Sequence, residues 1–304
     1  MSVSRPDYLE PWWTRALRHQ TTGHRVLVDG ATVHYRVWHG ECADELVLLL
    51  VHGYRGHSHW WDWIAPALAG RFRVAALDLA GMGESTARAL YTPASFATDV
   101  LGVLEDLGTR SATVIGHSYG GLAVLGACEI KSGRAAAATV ARRIGRAIIL
   151  DSRIRFLDRD PQPESPRAAP YKVYPSYEAI RSRYRLIPDQ PVTCEPLFEH
   201  IARHSIRETA DGWRWAFDPQ LPFAPHVADG RALLQRVDVP VDFVFGELSA
   251  VVDCERAAAT VAALPLGRGP IGIPQAHHHL MLDQPVALIA TLRALLLAGD
   301  PPIP

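Results

Sequence analysis

An α/β domain with a mostly parallel central sheet and helices on both faces is the fold class that this 304-residue sequence predicts. Three observations carry it. Strand-length apolar runs alternate with helical stretches; a Gly116-His117-Ser118-Tyr119-Gly120 pentapeptide stands between one such strand and one such helix; and the alternation stops after residue 151 and resumes near residue 230. Crossover helices cover both faces of a parallel sheet, so its strands read as continuous apolar runs rather than as alternating ones.

The first element is the exception. Residues 26–28 and 33–37 alternate in polarity around Asp29-Gly30, a turn pair that predicts an antiparallel hairpin. Residues 46–51 (LVLLLV) then read as a buried strand, 60–69 as a helix, 73–78 as a strand, 95–107 as a helix and 112–115 as the strand before the pentapeptide. A helix at 122–128, extended by the alanine-rich 135–141, leads to a sixth strand at 144–150. From 152 to 229 prolines are dense, but so are aromatic residues, among them Tyr171, Tyr174, Tyr177, Tyr184, Trp213, Trp215 and Phe217. A disordered linker would be poor in aromatics, so this segment is expected to be a packed, mainly helical insertion with helices at 177–184 and 196–204. The core pattern resumes with a seventh strand at 239–245, a helix at 253–264, a short strand at 269–273 and a closing helix at 285–298. Residues 1–151 and 230–304 form the expected core and 152–229 the insertion.

Composition narrows the function classes. Hydrophobic residues make up 48% and charged residues 21%, ordinary for a globular chain. A net charge of -1 provides no electrostatic basis for binding nucleic acid or an anionic membrane surface. Cys42, Cys128, Cys194 and Cys254 are scattered, with no C-x-x-C pair and no metal-ligand spacing, so reduced thiols and no metal are expected. No apolar segment of signal-peptide length stands before Trp12, and the run at 46–51 is far shorter than a membrane span. The expectation is a cytoplasmic protein acting on a small molecule without a cofactor, its oligomeric state open.

The pentapeptide carries the chemistry. A strand that breaks abruptly into a helix needs small residues around the turn, and the serine at its apex points outward at a helix N-terminus, where free N–H groups favour negative charge. Three further segments stand at other strand ends: His52-Gly53-Tyr54-Arg55-Gly56, Asp78-Leu79-Ala80-Gly81-Met82-Gly83-Glu84-Ser85, and the run Ala276-His277-His278-His279-Leu280-Met281-Leu282-Asp283-Gln284-Pro285. With these motifs in this order, the sequence resembles the α/β-hydrolase family over about residues 25 to 298, the insertion apart. The resemblance implies an α/β-hydrolase fold of the esterase and lipase-like branch, with a serine nucleophile and a cap domain inserted after the sixth strand.

Ser118 then needs a base, since a serine hydroxyl is a weak nucleophile at neutral pH. Of the three consecutive histidines, His278 lies seven residues before Pro285, where similar proteins carry the base; His277 and His279 are left to loop packing or solvent. The fold implies oxyanion donors at the backbone N–H groups of Tyr119 and Tyr54. The loop from Asp78 to Ser85 reads as structural. Similar enzymes place the acid three residues after the glycine ending the seventh strand, but Gly246-Glu247-Leu248-Ser249 puts an uncharged serine there, which is expected to tolerate alanine. Asp151, ending the sixth strand, is the favoured acid, with Asp253 or Glu247 as alternatives. Trp60, with its neighbours Trp61 and Trp63, and Trp213 and Trp215 of the insertion are candidate pocket walls for an apolar ester or lactone. Hydrolysis of a C–C bond or a thioester, with Arg153 and Arg155 holding a substrate carboxylate, is one alternative, and a non-catalytic ligand-binding member is another. Epoxide and haloalkane hydrolysis need a carboxylate nucleophile where this chain has Ser118.

Overall fold

The computed structural model describes residues 11–38, 46–130, 136–160, 171–221 and 229–298. After a short helix α1 (Trp12–Leu17), strands β1 (Thr22–Val28) and β2 (Ala31–Trp38) form the expected hairpin. Asp29 and Gly30 both take positive φ, 45° and 78°, as a two-residue turn matched to the twist of its strands requires. The chain continues through β3 (Leu46–Val51), a 3₁₀ turn (Ser58–Trp61), α2 (Ala65–Leu68), β4 (Arg73–Leu77), α3 (Pro93–Asp106), β5 (Ser111–His117), α4 (Tyr119–Ile130), α5 (Ala136–Ala141) and β6 (Ile144–Leu150). The expected helix at 60–69 is broken. Trp61 ends the 3₁₀ turn and Trp63 lies in the break before α2, both fully buried, and the Trp63 indole N–H donates to the Met281 carbonyl at 2.6 Å. Residues 131–135, expected to continue the helix at 122–128, lie outside the described residues.

The insertion follows β6 and contains α6 (Tyr177–Arg181), α7 (Glu195–His204) and a hairpin of β7 (Ile206–Thr209) with β8 (Gly212–Trp215). Its described residues are more helical than extended, as expected, with a short hairpin added that the sequence reading did not include. The hairpin closes through Ala210-Asp211, and Gly212, which follows as the first residue of β8, takes φ 127°. Next come α8 (Gly230–Leu234), β9 (Val241–Gly246), α9 (Cys254–Ala263), β10 (Gly267–Ile273), α10 (Leu280–Asp283) and α11 (Pro285–Leu297). The large sheet runs β1-β2-β4-β3-β5-β6-β9-β10; β1 with β2 and β2 with β4 are antiparallel, and the other pairs are parallel.

Both faces of this sheet are buried. Val47, Leu49 and Val51 of β3 face a cluster with Phe96, Val100, Val124 and Phe243, while Leu48 and Leu50 face Trp38, Trp61, Ile64, Met281, Leu288 and Leu292. Leu197, Phe198 and Ile201 of α7 join this second cluster, so the insertion shares its core with the sheet. Burying Ile201 completely is worth about 1.5–3 kcal/mol of apolar transfer. Among the described residues no helix is long and apolar enough to cross a membrane.

Register determines which loops meet. Val51 pairs with Gly116, His117 with Leu150, and Leu150 with Val244, so the C-terminal ends of β3, β5, β6 and β9 lie side by side. Loops at that edge of a parallel sheet, where neighbouring strands send their connections to opposite faces, form the crevice in which such folds bind ligands.

Candidate active site

β5 ends at His117 and α4 begins at Tyr119, leaving Ser118 alone to turn the chain. Its φ of 52° is left-handed, a conformation that costs a non-glycine residue of order 1–3 kcal/mol and persists only where the surroundings hold it. Those surroundings are visible. The Ser118 N–H donates to the Leu150 carbonyl at 2.8 Å. A Cβ on Gly116 would lie 2.6 Å from the Gly120 carbonyl oxygen, and one on Gly120 would lie 2.4 Å from that of His52. Backbone cannot yield as a flexible side chain does. Gly120→Ala is therefore expected to destabilise the chain by about 1–3 kcal/mol through overpacking, read as a lower midpoint in urea unfolding; an unchanged midpoint would show that the turn accommodates a methyl group.

His278 and Asp151 converge on this turn. His278 Nε2 lies 3.0 Å from Ser118 Oγ, and its Nδ1 lies 2.6 Å from Asp151 Oδ2. Both residues are buried, Asp151 completely. An ionised carboxylate only accepts hydrogen bonds, so Nδ1 carries the proton and the Nε2 lone pair faces the serine hydroxyl. Asp151 itself has φ 49°, which turns the chain out of β6 with the carboxylate at the sheet edge. Its Oδ1 accepts from the Gly246 N–H at 3.0 Å. The two alternative acids stand elsewhere: Asp253 caps α9 by accepting from the Arg256 N–H at 2.7 Å, and the Glu247 side chain lies against Gly272.

The neighbouring histidines differ in their partners. His277 donates from Nδ1 to Asp283 at 2.7 Å, and His279 is buried beside Trp60 with ring centroids 5.0 Å apart. His117 holds the His278 backbone, its Nε2–H donating to the His278 carbonyl at 2.9 Å. Burial, reinforced by the adjacent His278 ring, holds its pKa well below the usual imidazole value, so it donates as a neutral ring. His52 is neutral for the same first reason, burial. It donates from Nδ1 to the Gly53 carbonyl at 2.7 Å and accepts the Leu79 N–H at Nε2, tying the loop after β3 to the one after β4. Asp78 accepts from Ser58 N, His34 Nδ1 and Glu84 N, a bracing position matching the structural reading of its loop.

Ser249 differs from expectation. Its hydroxyl donates to Asp151 Oδ2 at 2.6 Å, the same oxygen that meets His278, and accepts from the N–H of Val251 at 3.0 Å. The residue at the commoner acid position thus donates to the carboxylate that meets His278. Its charge-free side chain hid it in the sequence; its place three residues after Gly246 was the available signal.

The front of the site is aromatic. Gly53 abuts the turn, since a Cβ there would lie 3.2 Å from Ser118 Cβ, and Tyr54 follows with its ring 5.8 Å, edge-on, from that of Tyr119. The Tyr54 hydroxyl donates to the Leu221 carbonyl of the insertion at 2.9 Å. Arg55 lies over the rings of both Tyr54 and Phe217 at 5.1 and 4.5 Å. Trp215 stacks on Phe217 at 6.2 Å and packs on Tyr174, so it connects to Tyr54 through Phe217 and Arg55, while Trp213 packs on Tyr177 within the insertion. Trp60, only 8% exposed, packs in the core. Arg153 is ion-paired with Asp160 at 2.7 Å, while buried Arg155 lines a separate cavity of about 300 Å³ with Leu122, Ile154 and Leu233.

Sheet order, the turn at Ser118 and this convergence of loops agree with the comparison to known families, where the model of the alpha/beta hydrolase family matches residues 48–291. The chain belongs to the α/β-hydrolase family. This α/β-hydrolase is 33% identical over 105 residues to a soluble epoxide hydrolase of Corynebacterium sp. (strain C12), a match covering 34% of this chain and 35% of that protein. It spans about a third of the length of the first curated relatives it matches. A broader match, 31% identical over 201 residues, covers 63% of this chain and 70% of RutD of Caulobacter vibrioides, a proposed carbamate hydrolase. Among solved structures, carboxylesterase CesB of Bacillus subtilis superposes with a TM-score of 0.66 over 95% of this chain and 97% of that one, at 20% identity, which is a likeness of fold.

Proposed function

We infer that the chain is a serine hydrolase that cleaves an ester or lactone of a fairly apolar small molecule through an acyl-enzyme on Ser118. The observation that carries this reading is the unbroken line Ser118 Oγ–His278 Nε2 and His278 Nδ1–Asp151 Oδ2, at 3.0 and 2.6 Å. Ser118 Oγ attacks the carbonyl carbon while His278 Nε2 takes its proton, and the carbonyl π electrons move onto oxygen. That oxyanion would be met by the backbone N–H groups of Tyr54 and Tyr119, donors that such sites use to lower the barrier by about 3–4 kcal/mol each. Collapse expels the alcohol, which takes the proton from His278. A water molecule then repeats the attack on the acyl-enzyme with His278 as base, releasing the acid and restoring Ser118. Asp151 keeps Nδ1 protonated and stabilises the imidazolium formed in each half-reaction.

Epoxide opening, the activity named for one relative, requires a carboxylate at the turn, and this chain has Ser118. The experiment is direct: purified protein should hydrolyse p-nitrophenyl butyrate and be labelled at Ser118 by a fluorophosphonate. Absence of both would leave a non-catalytic binding protein. A second reading rests on Arg55, whose guanidinium lies over Tyr54 two residues beyond Gly53: a substrate carboxylate there would favour a thioester or a C–C bond in a dioxo acid. A reducing, cytoplasmic setting is part of this reading, and among the described residues Cys128, Cys194 and Cys254 form no disulfide.

Within this reading the insertion, 152–229, acts as a lid over the serine. Tyr54 reaches it at Leu221, and Trp215 reaches the site through Phe217 and Arg55. Trp215→Ala is expected to change the ratio of kcat/KM between acetate and octanoate esters several-fold. Equal losses for every chain length would make Trp215 a packing residue only.

A further inference from the structure

Away from Ser118, four imidazoles gather where the insertion meets the loop after β3. His200 and His204 are four residues apart on α7 and so share one helix face, while His59 lies on the 3₁₀ turn of the core. The His59 and His204 rings stack with centroids 3.6 Å apart, and those of His200 and His204 are 4.5 Å apart. His57 adjoins them, its ring 5.8 Å from that of His59, and its buried Nδ1 has no hydrogen-bond partner among the described residues.

Hydrogen bonds hold the rings in place. Asp62 Oδ2 lies 2.7 Å from His59 Nδ1 and accepts from His200 Nε2 at 2.8 Å, and the His200 carbonyl accepts from His204 Nδ1 at 2.8 Å. A carboxylate and a carbonyl cannot donate, so His200 Nε2 and His204 Nδ1 carry protons, while His59 Nδ1 lies between the Asp62 carboxylate and the Arg36 guanidinium, 3.1 Å from Nη1. An imidazole without its second proton offers one nitrogen lone pair to an ion. One ring nitrogen from each of the three residues lies within 4.8 Å of the others. A tetrahedral ion with bonds of about 2.0–2.1 Å sets its ligands about 3.3 Å apart, so ring rotations close the remaining gap.

We propose that His59, His200 and His204 form a three-imidazole site for a divalent transition metal ion, Zn²⁺ in the first place, that clamps the insertion to the core. Imidazole is a ligand of choice for Zn²⁺, and a carboxylate accepting the distal N–H of a ligand is the usual partner that orients it. Asp62 supplies this to His200 and also faces His59 Nδ1. It is held in turn by an ion pair with Arg36. An ion has a route in: His59 also lines an open polar cavity of about 320 Å³ with Arg25, Arg36 and Glu84, in which Arg25 is paired with Glu84 and Arg36 with Asp62. Because α7 contributes two ligands and the turn after Tyr54 the third, the bound ion would tie the lid to the loop carrying one oxyanion donor.

The test uses the full chain without an affinity tag, stripped with EDTA and titrated with Zn²⁺ by calorimetry and with Co²⁺ by visible absorption. One ion per chain, the strong d–d bands of a four-coordinate cobalt site, and a Tm that rises with the logarithm of free Zn²⁺ are expected. His204→Gln and His59→Gln should each abolish saturable binding with the circular dichroism spectrum unchanged. Asp62→Asn, which keeps all three ligands, should weaken binding by about 10- to 100-fold. A second histidine triplet, His117, His278 and His279, is the internal control. Binding that survives in His204→Gln but is lost in His278→Gln would place the ion there and overturn the proposal, as would no saturable binding by wild type up to millimolar Zn²⁺.

Discussion

Replacing Ser118 with alanine is expected to lower kcat for p-nitrophenyl butyrate by about 10⁶-fold and to abolish fluorophosphonate labelling, the scale on which a serine hydrolase loses its nucleophile. The fold should persist. Alanine keeps the backbone N–H that donates to Leu150 and the Cβ that already tolerates φ 52°, removing one oxygen from a turn that Gly116 and Gly120 shape. His278→Ala should be as severe, and the double variant no worse than either single one, because base and nucleophile act on the same proton. His277→Ala should be mild by comparison, since its ring is bound to Asp283 rather than to the serine. Residual turnover of a tenth of wild type in Ser118→Ala would exclude an acyl-enzyme on Ser118.

Much of the fold was readable because its sheet is buried on both faces. A run such as Leu46–Val51 has no polar alternation to confuse with a surface strand, and its short length and flanking glycines exclude a long helix. The helices were harder. Trp60, Trp61 and Trp63 read as one helix by composition, yet the Trp63 indole bond to Met281 and the position of Trp60 against His279 are long-range constraints with no local signature. The β7–β8 hairpin was missed although Asp211-Gly212 stands at its turn, because surrounding prolines and the helical stretches of the same insertion dominated the reading.

The residues at the serine were legible in proportion to how much local backbone they need. Ser118 requires glycines around it, and His278 keeps a constant distance to Pro285, so both show in the linear chain. Asp151 showed only by elimination. Ser249 showed only its place three residues after Gly246, and His117 and the cluster of His59, His200 and His204 left no mark: Ser249 meets Asp151 and His117 meets His278, partners distant in sequence. The expectation of no metal rested on cysteine spacing, which is blind to imidazoles brought together from residues 59 and 200–204.

Asp151→Asn is the second large effect expected, about 10⁴-fold in kcat, with KM changed far less. Asparagine fits the space of the carboxylate, and with its oxygen at the Oδ1 position the Gly246 N–H keeps its acceptor; the opposite orientation sets N–H₂ against that N–H. What changes is the imidazole. An amide presents either N–H₂ or C=O to His278 Nδ1: the first forces the tautomer with the proton on Nε2, leaving no lone pair to take the serine proton, and the second leaves the imidazolium without a counter-charge. Ser249→Ala separates charge from positioning at the same oxygen. It removes one donor at 2.6 Å from Asp151 Oδ2 while keeping the carboxylate, and a hydrogen bond to a charged group is worth about 1.5–3 kcal/mol, so kcat should fall about tenfold or somewhat more. The order Asp151→Asn far below Ser249→Ala, with Glu247→Gln and Asp253→Asn near wild type, is the pattern to measure. Near-normal turnover in Asp151→Asn would instead move the acid to the loop that holds Glu247 and Asp253, and a silent Ser249→Ala would mean that His278 and Gly246 alone suffice to orient the carboxylate.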